Sequence, residues 1–265
     1  MTSFEKLGAI QKKNNSILCV GLDSDIEKIP KHLGKNIDAL FEFNKTIIDS
    51  TKDLVCAYKI NFAFYEQYGV EGFKILKETF DYIPDDIFTI ADSKRGDIGN
   101  TSRAYAKSCF EYFNADSITV SPFMGEDSVR PFLEYSDKMV FILTLTSNKG
   151  SLDFQRLDAE GEPLYKQVIN KTKLWAKHEF IGYVFGATNP VELLSIRQII
   201  PDNFVLIPGI GTQGGNIKQI MKANFGKPSV INVSRSVIYA SGEKDFAEKA
   251  REKALFYKDC LNKYK

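Results

Sequence analysis

Cysteine and histidine are scarce in this chain of 265 residues, which has four of the first and two of the second. The cysteines are far apart in the sequence, at Cys19, Cys56, Cys109 and Cys260. Because zinc sites and redox motifs usually place cysteines close together in pairs, we expect four free thiols buried in the core. The histidines lie in no motif, which disfavours a histidine-rich metal site and a histidine-based catalytic triad.

An excess of charge is also absent. Lysine and arginine number 35 against 34 acidic residues, so no overall field attracts nucleic acid or a membrane surface. Residues 1–6 lack the basic and then apolar pattern of a signal peptide, and no apolar run approaches the length of a membrane span. We therefore expect a cytoplasmic protein that binds neither nucleic acid nor a membrane, and any anion site must be local.

The sequence shows no low-complexity segment and no linker rich in proline or serine. Its apolar fraction of 43% and charged fraction of 26% are ordinary for a globular protein. A chain of this length suits one large domain or two small ones. Because nothing marks a boundary, we expect one domain over residues 1–265.

Short runs rich in β-branched and aromatic residues alternate with amphipathic stretches along the chain. Eight of these runs are predicted strands: residues 16–23, 55–61, 87–94, 117–120, 139–144, 181–185, 204–208 and 230–233. Eight strands with intervening helices in about 250 residues predict an α/β fold, the (β/α)8 or TIM barrel. An open doubly wound sheet is the alternative.

Apolar residues recur at helical spacing between the predicted strands. Leu40, Phe43 and Ile47 are one such set, and Val191 and Leu194 are another. Residues three or four apart lie on the same face of a helix. We therefore expect each set to form the buried face of a helix outside the barrel.

The third predicted strand ends in charge. Asp92 and Lys94 follow the apolar run of residues 87–91 and share a strand face with Phe88 and Ile90. Burying ions costs several kcal/mol each (roughly) unless partners are supplied, so a structural role gains little from them. This indicates chemistry, although a solvated strand end is the simpler alternative.

Other strand ends carry polar residues as well. The first ends at Asp23, the second has Lys59 on the same parity as Ala57, and the fifth continues into residues 144–150, which include several small polar residues. Carboxyl ends of parallel strands meet at one face of a barrel, where active sites lie. These side chains should therefore converge, and residues 144–150 could contact a planar heterocycle.

The last two predicted strands are followed by residues that suit the binding of an anion. Residues 207–215 form a glycine-rich turn before a helix, and Arg235 follows the eighth strand. Glycine lets backbone N–H groups approach an anion, and a guanidinium binds phosphate in a two-pronged manner. Barrels often build a phosphate site from these two loops, so a phosphorylated substrate is indicated.

With these residues assembled, the chain resembles the orotidine 5′-phosphate decarboxylase family. It is most similar to the bacterial-type branch, whose motif Asp-x-Lys-Arg-Gly-Asp-Ile followed by threonine stands here at residues 92–101. Further matches lie at residues 21–23, 59–61, 146–148, 186–188, 208–215 and 234–235. The ten-residue motif is highly specific, whereas the glycine-rich turn alone is not.

The resemblance implies a role for each matched residue. It makes a charged tetrad of Lys59, Asp92, Lys94 and Asp97, with Lys94 as the proton donor to the pyrimidine C6. It assigns Asp23 and Thr101 to the ribose hydroxyls and Ser147 to the pyrimidine edge. It assigns Gln213 and Arg235, with the backbone amides near Gly211, to the phosphate.

The resemblance also implies a reaction and its partners. The substrate would be orotidine 5′-phosphate, and the products uridine 5′-phosphate and CO2, with no cofactor and no metal. In the family, the residues matching Asp97 and Thr101 reach into the neighbouring subunit's site. A homodimer is therefore expected.

Three alternatives remain open at this point. A metal-dependent sugar-phosphate lyase of the same superfamily also carries Asp-x-Lys-x-x-Asp, and it would use the acidic groups to hold a divalent cation. An aldolase would use Lys59 or Lys94 to form a Schiff base. A catalytically silent sensor would keep only the barrel and the anion-binding loop.

Overall fold

Eight parallel strands close into a barrel in the computed structural model, which describes residues 1–211 and 215–265. The strands are β1 Leu18–Gly21, β2 Ala57–Asn61, β3 Phe88–Arg95, β4 Ser117–Val120, β5 Met139–Leu145, β6 Ile181–Phe185, β7 Val205–Pro208 and β8 Ser229–Val233. Each pairs with its neighbours in chain order, and β8 pairs back to β1. The predicted barrel and its eight strands are confirmed, and the open sheet is wrong.

Helices precede, follow and connect the strands. Their bounds are α1 Ser3–Lys13, α2 Asp38–Thr51, α3 Ala63–Glu66, α4 Gly69–Tyr82, α5 Gly99–Lys107, α6 Glu126–Leu133, α7 Leu164–Thr172, α8 Pro190–Arg197, α9 Ile217–Asn224, α10 Arg235–Ile238 and α11 Phe246–Asn262. Across residues 1–211 and 215–265, no helix combines the length and the apolarity needed to span a membrane.

The strand residues are buried on both faces in most of the barrel. Every residue of β1, β4, β6 and β8 is buried, because side chains point alternately into the barrel and toward the surrounding helices. Such strands appear in a sequence as continuous apolar runs. Polar residues within them are therefore the exceptions that require an explanation.

Helix α8 corrects the predicted helix faces. Leu40, Phe43 and Ile47 are fully buried as expected, whereas Val191 is 77% and Leu194 is 38% exposed. The buried face of α8 instead includes Leu193 and Ile196. Apolar residues occur on both faces of this short helix, so spacing alone could not identify the buried one.

Two further observations differ from the sequence analysis. All four cysteines are free thiols, but Cys260 is only half-buried. Between β5 and α7 the chain forms a short hairpin of Asp158–Ala159 and Glu162–Pro163, for which no structure was predicted. Its turn residues Glu160 and Gly161 have positive φ. The segment between β5 and α7 is therefore an excursion from the barrel with a hairpin of its own.

Arg197, at the end of α8, joins three parts of the barrel's amino-terminal side. Its side chain is buried and donates to the Asn224 side chain at 2.8 Å, to the Asn203 carbonyl at 2.9 Å and to the Pro228 carbonyl at 2.6 Å. The last two acceptors lie just before β7 and β8. Within the described ranges no carboxylate pairs with Arg197, so these acceptors compensate for its lost hydration.

We expect Arg197→Leu to lower the free energy of unfolding by about 3 kcal/mol, because it leaves several buried acceptors without a donor. Urea denaturation measures the change. The control is Arg251→Leu, since Arg251 makes an exposed bidentate ion pair with Asp53 and its loss should cost less than about 1 kcal/mol. Equal losses in the two variants would contradict the role of burial.

Candidate active site

A cavity of about 240 Å³ opens at the carboxyl ends of the barrel strands. Six of the predicted site residues line it: Asp23, Lys59, Asp92, Lys94, Ser147 and Arg235. They come from the ends of five different strands, so the barrel brings together side chains that are far apart in the sequence. The strand ends therefore converge as predicted, and Arg235 joins them, whereas the roles of these residues stay predictions.

Four charges of alternating sign form a continuous row in this cavity. The Lys59 ammonium lies 3.3 Å from the Asp23 carboxylate and 2.7 Å from Oδ2 of Asp92. The Lys94 ammonium lies 2.6 Å from the other oxygen, Oδ1 of Asp92. Each carboxylate therefore has a cation beside it, and Asp92 has two.

Burial divides the row into an inner and an outer part. The side chains of Lys59 and Asp92 are 5% and 9% exposed, whereas that of Lys94 is 48% exposed. Burial opposes ionisation of Asp92, but the ammonium groups of Lys59 and Lys94 outweigh it and hold its pKa well below the ordinary range. Burial likewise opposes protonation of Lys59, but Asp23 and Asp92 outweigh it and raise its pKa. Both groups therefore carry their charges at neutral pH.

The backbone of β3 explains how Lys94 reaches Asp92. The pairing of β3 with β4 shifts between Ala91 and Arg95, and Lys94 adopts a left-handed φ of 47°. A residue with a Cβ rarely adopts this conformation, so the surroundings must hold it there. The sequence analysis placed Asp92 and Lys94 on one strand face because strand side chains alternate in direction. This regular alternation ends before Lys94, although the two side chains are in contact.

Thr119 on β4 holds this local conformation, and the sequence analysis did not identify it. Its Oγ1 accepts the backbone N–H of Lys94 at 3.0 Å and donates to Oδ1 of Asp92 at 3.0 Å. Thr119 is 1% exposed and lines the cavity. Ser117 and Thr119 are polar residues within a short buried strand, where apolar residues are expected. This departure from the apolar pattern could have identified Thr119 from the sequence.

The structure describes only part of the predicted anion-binding end of the cavity. Arg235 is exposed at the rim, and its side chain makes no ion pair or hydrogen bond with the described residues. Gly209 lines the cavity, whereas Gly211 is exposed and lines a separate cavity, where a Cβ on it would come within 2.6 Å of Ser236 Oγ. Gln213 lies outside the described residues.

The segment after β5 forms the opposite wall of the cavity. Thr146 and Ser147 both line it, beside Leu143. Gly186, from the loop after β6, packs so closely that a Cβ on it would lie 2.7 Å from the Ser147 nitrogen. A glycine is therefore required at this contact between the two loops.

Asp97 and Thr101 do not line the cavity of their own chain. The Asp97 carboxylate accepts the next backbone N–H, that of Ile98, at 2.8 Å. Thr101 is exposed on α5. The structure therefore separates these two predicted site residues from the other charged groups.

Asn232 and Ser234, on the β8 side, also line the cavity, and the sequence analysis gave neither of them a role in the site. The Ser234 hydroxyl donates to the Gly21 backbone carbonyl at 2.9 Å, and the Cys19 thiol lies 3.5 Å from the side-chain oxygen Oδ1 of Asn232. Gly21 faces both residues, and a Cβ there would come within 2.8 Å of Ser234. This glycine makes room for two polar side chains in the barrel interior.

The lowered pKa of Asp92 predicts a pH dependence. Because the folded protein binds the Asp92 proton more weakly than the unfolded chain does, the ionised group stabilises the fold above the ordinary carboxyl pKa of about 4. That contribution is lost as the pH falls from there toward the folded-state pKa. Between pH 5 and pH 2 the free energy of unfolding should fall by about 2 kcal/mol more in the wild type than in Asp92→Asn.

Denaturant titrations at each pH measure this difference. An Asp202→Asn variant is the control, because Asp202 is exposed and has no ion pair within residues 1–211 and 215–265. Its curve should follow that of the wild type. Curves for the wild type and Asp92→Asn that stay parallel down to pH 2 would contradict the stabilising role of the two lysines.

Comparison with known proteins relates this geometry to a family. Residues 16–250 match the family model described as "Orotidine 5'-phosphate decarboxylase / HUMPS family". An orotidine 5'-phosphate decarboxylase of Flavobacterium johnsoniae is 52% identical over 251 residues, which cover 93% of this chain and 91% of the relative.

Solved structures agree with this match. The structure of Leishmania donovani OMP decarboxylase has a TM-score of 0.84 and 38% identity, with 99% of each chain covered. Leishmania donovani UMP synthase has a TM-score of 0.86 and 39% identity, and this chain spans 57% of its length. The chain belongs to the orotidine 5′-phosphate decarboxylase / HUMPS family.

Proposed function

We propose that this protein catalyses the decarboxylation of orotidine 5′-phosphate to uridine 5′-phosphate and CO2 without a cofactor, the last step in the synthesis of UMP. The single observation that carries the proposal is the row Asp23, Lys59, Asp92 and Lys94, at the mouth of a barrel that also presents Arg235. The 52% identity to a named decarboxylase supports the same reaction. The location of the protein in the cytoplasm stays a prediction.

Asp92 would act through repulsion of the substrate. A substrate carboxylate held about 4 Å from the Asp92 carboxylate would be destabilised by roughly 4 kcal/mol at an effective dielectric of 20, and the departure of CO2 relieves this. The two lysines keep Asp92 ionised, so the repulsion cannot be removed by protonation. The fixed charges need no reorganisation during the reaction.

Lys94 would stabilise the negative charge that develops on C6 and then donate a proton there. It is the one charged side chain of the row that is half exposed, while its ammonium is aimed by the contact with Asp92. Lys59 is buried and contacts both carboxylates, which suits it to hold Asp23 and Asp92 in place. A gain of several kcal/mol from each charge (roughly) is part of the 8 to 23 kcal/mol that enzymes typically supply.

The remaining groups would bind the rest of the nucleotide. Asp23 would accept hydrogen bonds from the ribose, Ser147 would contact the pyrimidine edge, and Arg235 would pair with the phosphate. Gly211 and Gln213 would add donors to the phosphate, with Gln213 outside the described residues. Because the Arg235 side chain has no partner in the described ranges, its charge remains available to an anion.

A homodimer is part of the proposal, with Asp97 and Thr101 completing the partner's site. Both residues lie away from their own cavity, which supports this role. Large apolar side chains are exposed on the same side of the barrel: Ile98 is 49%, Phe123 81% and Phe154 62% exposed. Phe123 and Phe154 line one apolar cavity, and a second copy would remove this surface from water.

We also propose that residues 1–265 form one domain, since both ends of the chain join the same barrel. In α1, the Lys6 ammonium lies 2.7 Å from the carboxylate of Asp116, just before β4. In α11, the Tyr257 hydroxyl donates to the hydroxyl of Ser236, just after β8, at 3.1 Å.

The enzymatic proposal is tested by the loss of orotidine 5′-phosphate ultraviolet absorbance on adding purified protein in the presence of a chelator. We expect full activity, because both oxygens of Asp92 already contact ammonium groups and would have to release them to hold Mg²⁺. Activity that disappears with the chelator would favour the metal-dependent sugar-phosphate lyases.

Lys94→Ala should lower the decarboxylation rate at least a hundredfold, an order of magnitude typical of a lost proton donor. Binding of uridine 5′-phosphate, measured by calorimetry, should remain detectable and would show that the variant is folded. A variant that keeps a tenth of the wild-type rate would remove Lys94 from the role of proton donor.

The shared site predicts complementation between two inactive variants. In a mixed dimer of Asp97→Ala and Lys94→Ala chains, one site receives an intact Lys94 from one chain and an intact Asp97 from the other. Co-expression without selection should therefore restore about one quarter of wild-type activity. Chains carrying two different tags allow the mixed dimers to be isolated, and inactive mixed dimers would contradict the shared site.

A further inference from the structure

The segment between β5 and α7 leaves the cavity wall at Thr146 and returns to it at Gln155. The Gln155 amide makes a two-point contact with Thr146. Its Oε1 accepts the Thr146 backbone N–H at 2.8 Å, and its Nε2 donates to the Thr146 hydroxyl at 3.0 Å. One side chain therefore fixes both the backbone and the side chain of a residue that lines the cavity.

Gln155 is itself held in place by its own backbone and by its neighbour. Its carbonyl accepts the Tyr165 N–H, at the start of α7, at 2.9 Å. The Arg156 guanidinium lies 2.5 Å from the Glu192 carboxylate and 2.6 Å from the Asn189 side-chain oxygen. The loop and helix that follow β6 therefore help to hold Gln155 in its contact with Thr146.

The other end of the cavity has separate supports. Asp92 and the Lys94 backbone are held by Thr119, and Arg235 lies beside β8. None of the hydrogen bonds of Gln155 among the described residues reaches these groups. Loss of the Gln155 amide should therefore disturb the wall at Thr146 and Ser147 and leave the charged row and the anion end unchanged.

We propose that Gln155 is a positioning residue that fixes the Thr146–Ser147 wall for the planar base of the nucleotide. This inference rests on the proposed function, because it takes that wall as the part of the site that contacts the pyrimidine. Gln155 does not touch the substrate in this scheme. It acts by holding the peptide nitrogen and hydroxyl of Thr146, and with them the position of Ser147.

The test compares two ligands that differ by the base. Gln155→Leu removes both polar contacts while keeping the size of the side chain. It should raise the Kd of uridine 5′-phosphate about tenfold, as expected for the loss of two hydrogen bonds, and change the Kd of ribose 5-phosphate less than about twofold. Equal weakening of both ligands would indicate a general structural role and would overturn the inference, and so would unchanged binding of uridine 5′-phosphate.

Two further variants complete the experiment. Gln155→Asn keeps a polar side chain that is too short to reach Thr146, so it should show the same selective loss if Gln155→Leu does not fold. Gln167→Leu is the matched control, because Gln167 is also a half-buried glutamine and donates to the Ala159 carbonyl, at 3.1 Å, in the same excursion. It should bind both ligands as the wild type does, and a loss equal to that of Gln155→Leu would overturn the inference.

Turnover separates failure of this inference from failure of the proposed function. Wild-type protein that decarboxylates orotidine 5′-phosphate, together with a Gln155→Leu variant of unchanged KM, would leave the proposed function intact and refute the role of Gln155. Wild-type protein with no turnover would refute the proposed function itself. Under the inference, KM for orotidine 5′-phosphate should rise about tenfold in Gln155→Leu, with a smaller change in kcat.

Discussion

The contact of one buried carboxylate with two ammonium groups is the interaction on which this site depends. Asp92 lies between Lys59 and Lys94, and each of its oxygens contacts one of them. A lone carboxylate at this depth would take up a proton, and a lone buried lysine would lose one. Together they keep fixed charges in a place where water is largely excluded, and such charges can act on a reacting group without first reorganising.

The barrel makes this arrangement possible because it supplies rigid neighbours on every side. The pairing of Gly21 with Lys59 and of Asn61 with Asp92 fixes the positions of the charged residues along the barrel axis. The shift in pairing after Ala91 then releases Lys94 from the regular strand. An isolated strand could not hold Lys94 in its left-handed conformation. Thr119 on the next strand holds it by accepting the Lys94 backbone N–H.

Much of this was predictable from the sequence, for physical reasons. Buried parallel strands appear as continuous apolar runs, so all eight were found, and a charge at the end of such a run marks a site. The contacts of Thr119 and Gln155 were not predictable, because they depend on an irregular backbone at Lys94 and on the folding of the excursion after β5. The prediction of which face of α8 is buried was wrong, because that helix has apolar residues on both faces. The roles of Asp97 and Thr101 stay predictions.

The link from Arg156 to Glu192 and Asn189 affects how this protein can evolve. Variation in the loops at the mouth of a (β/α)8 barrel lets the fold acquire new chemistries. Here the loop after β5 is tied to the loop and helix after β6 by a half-buried guanidinium. A foreign loop grafted after β5 would leave Glu192 and Asn189 without their partner. The two loops should therefore be inherited and exchanged as one module.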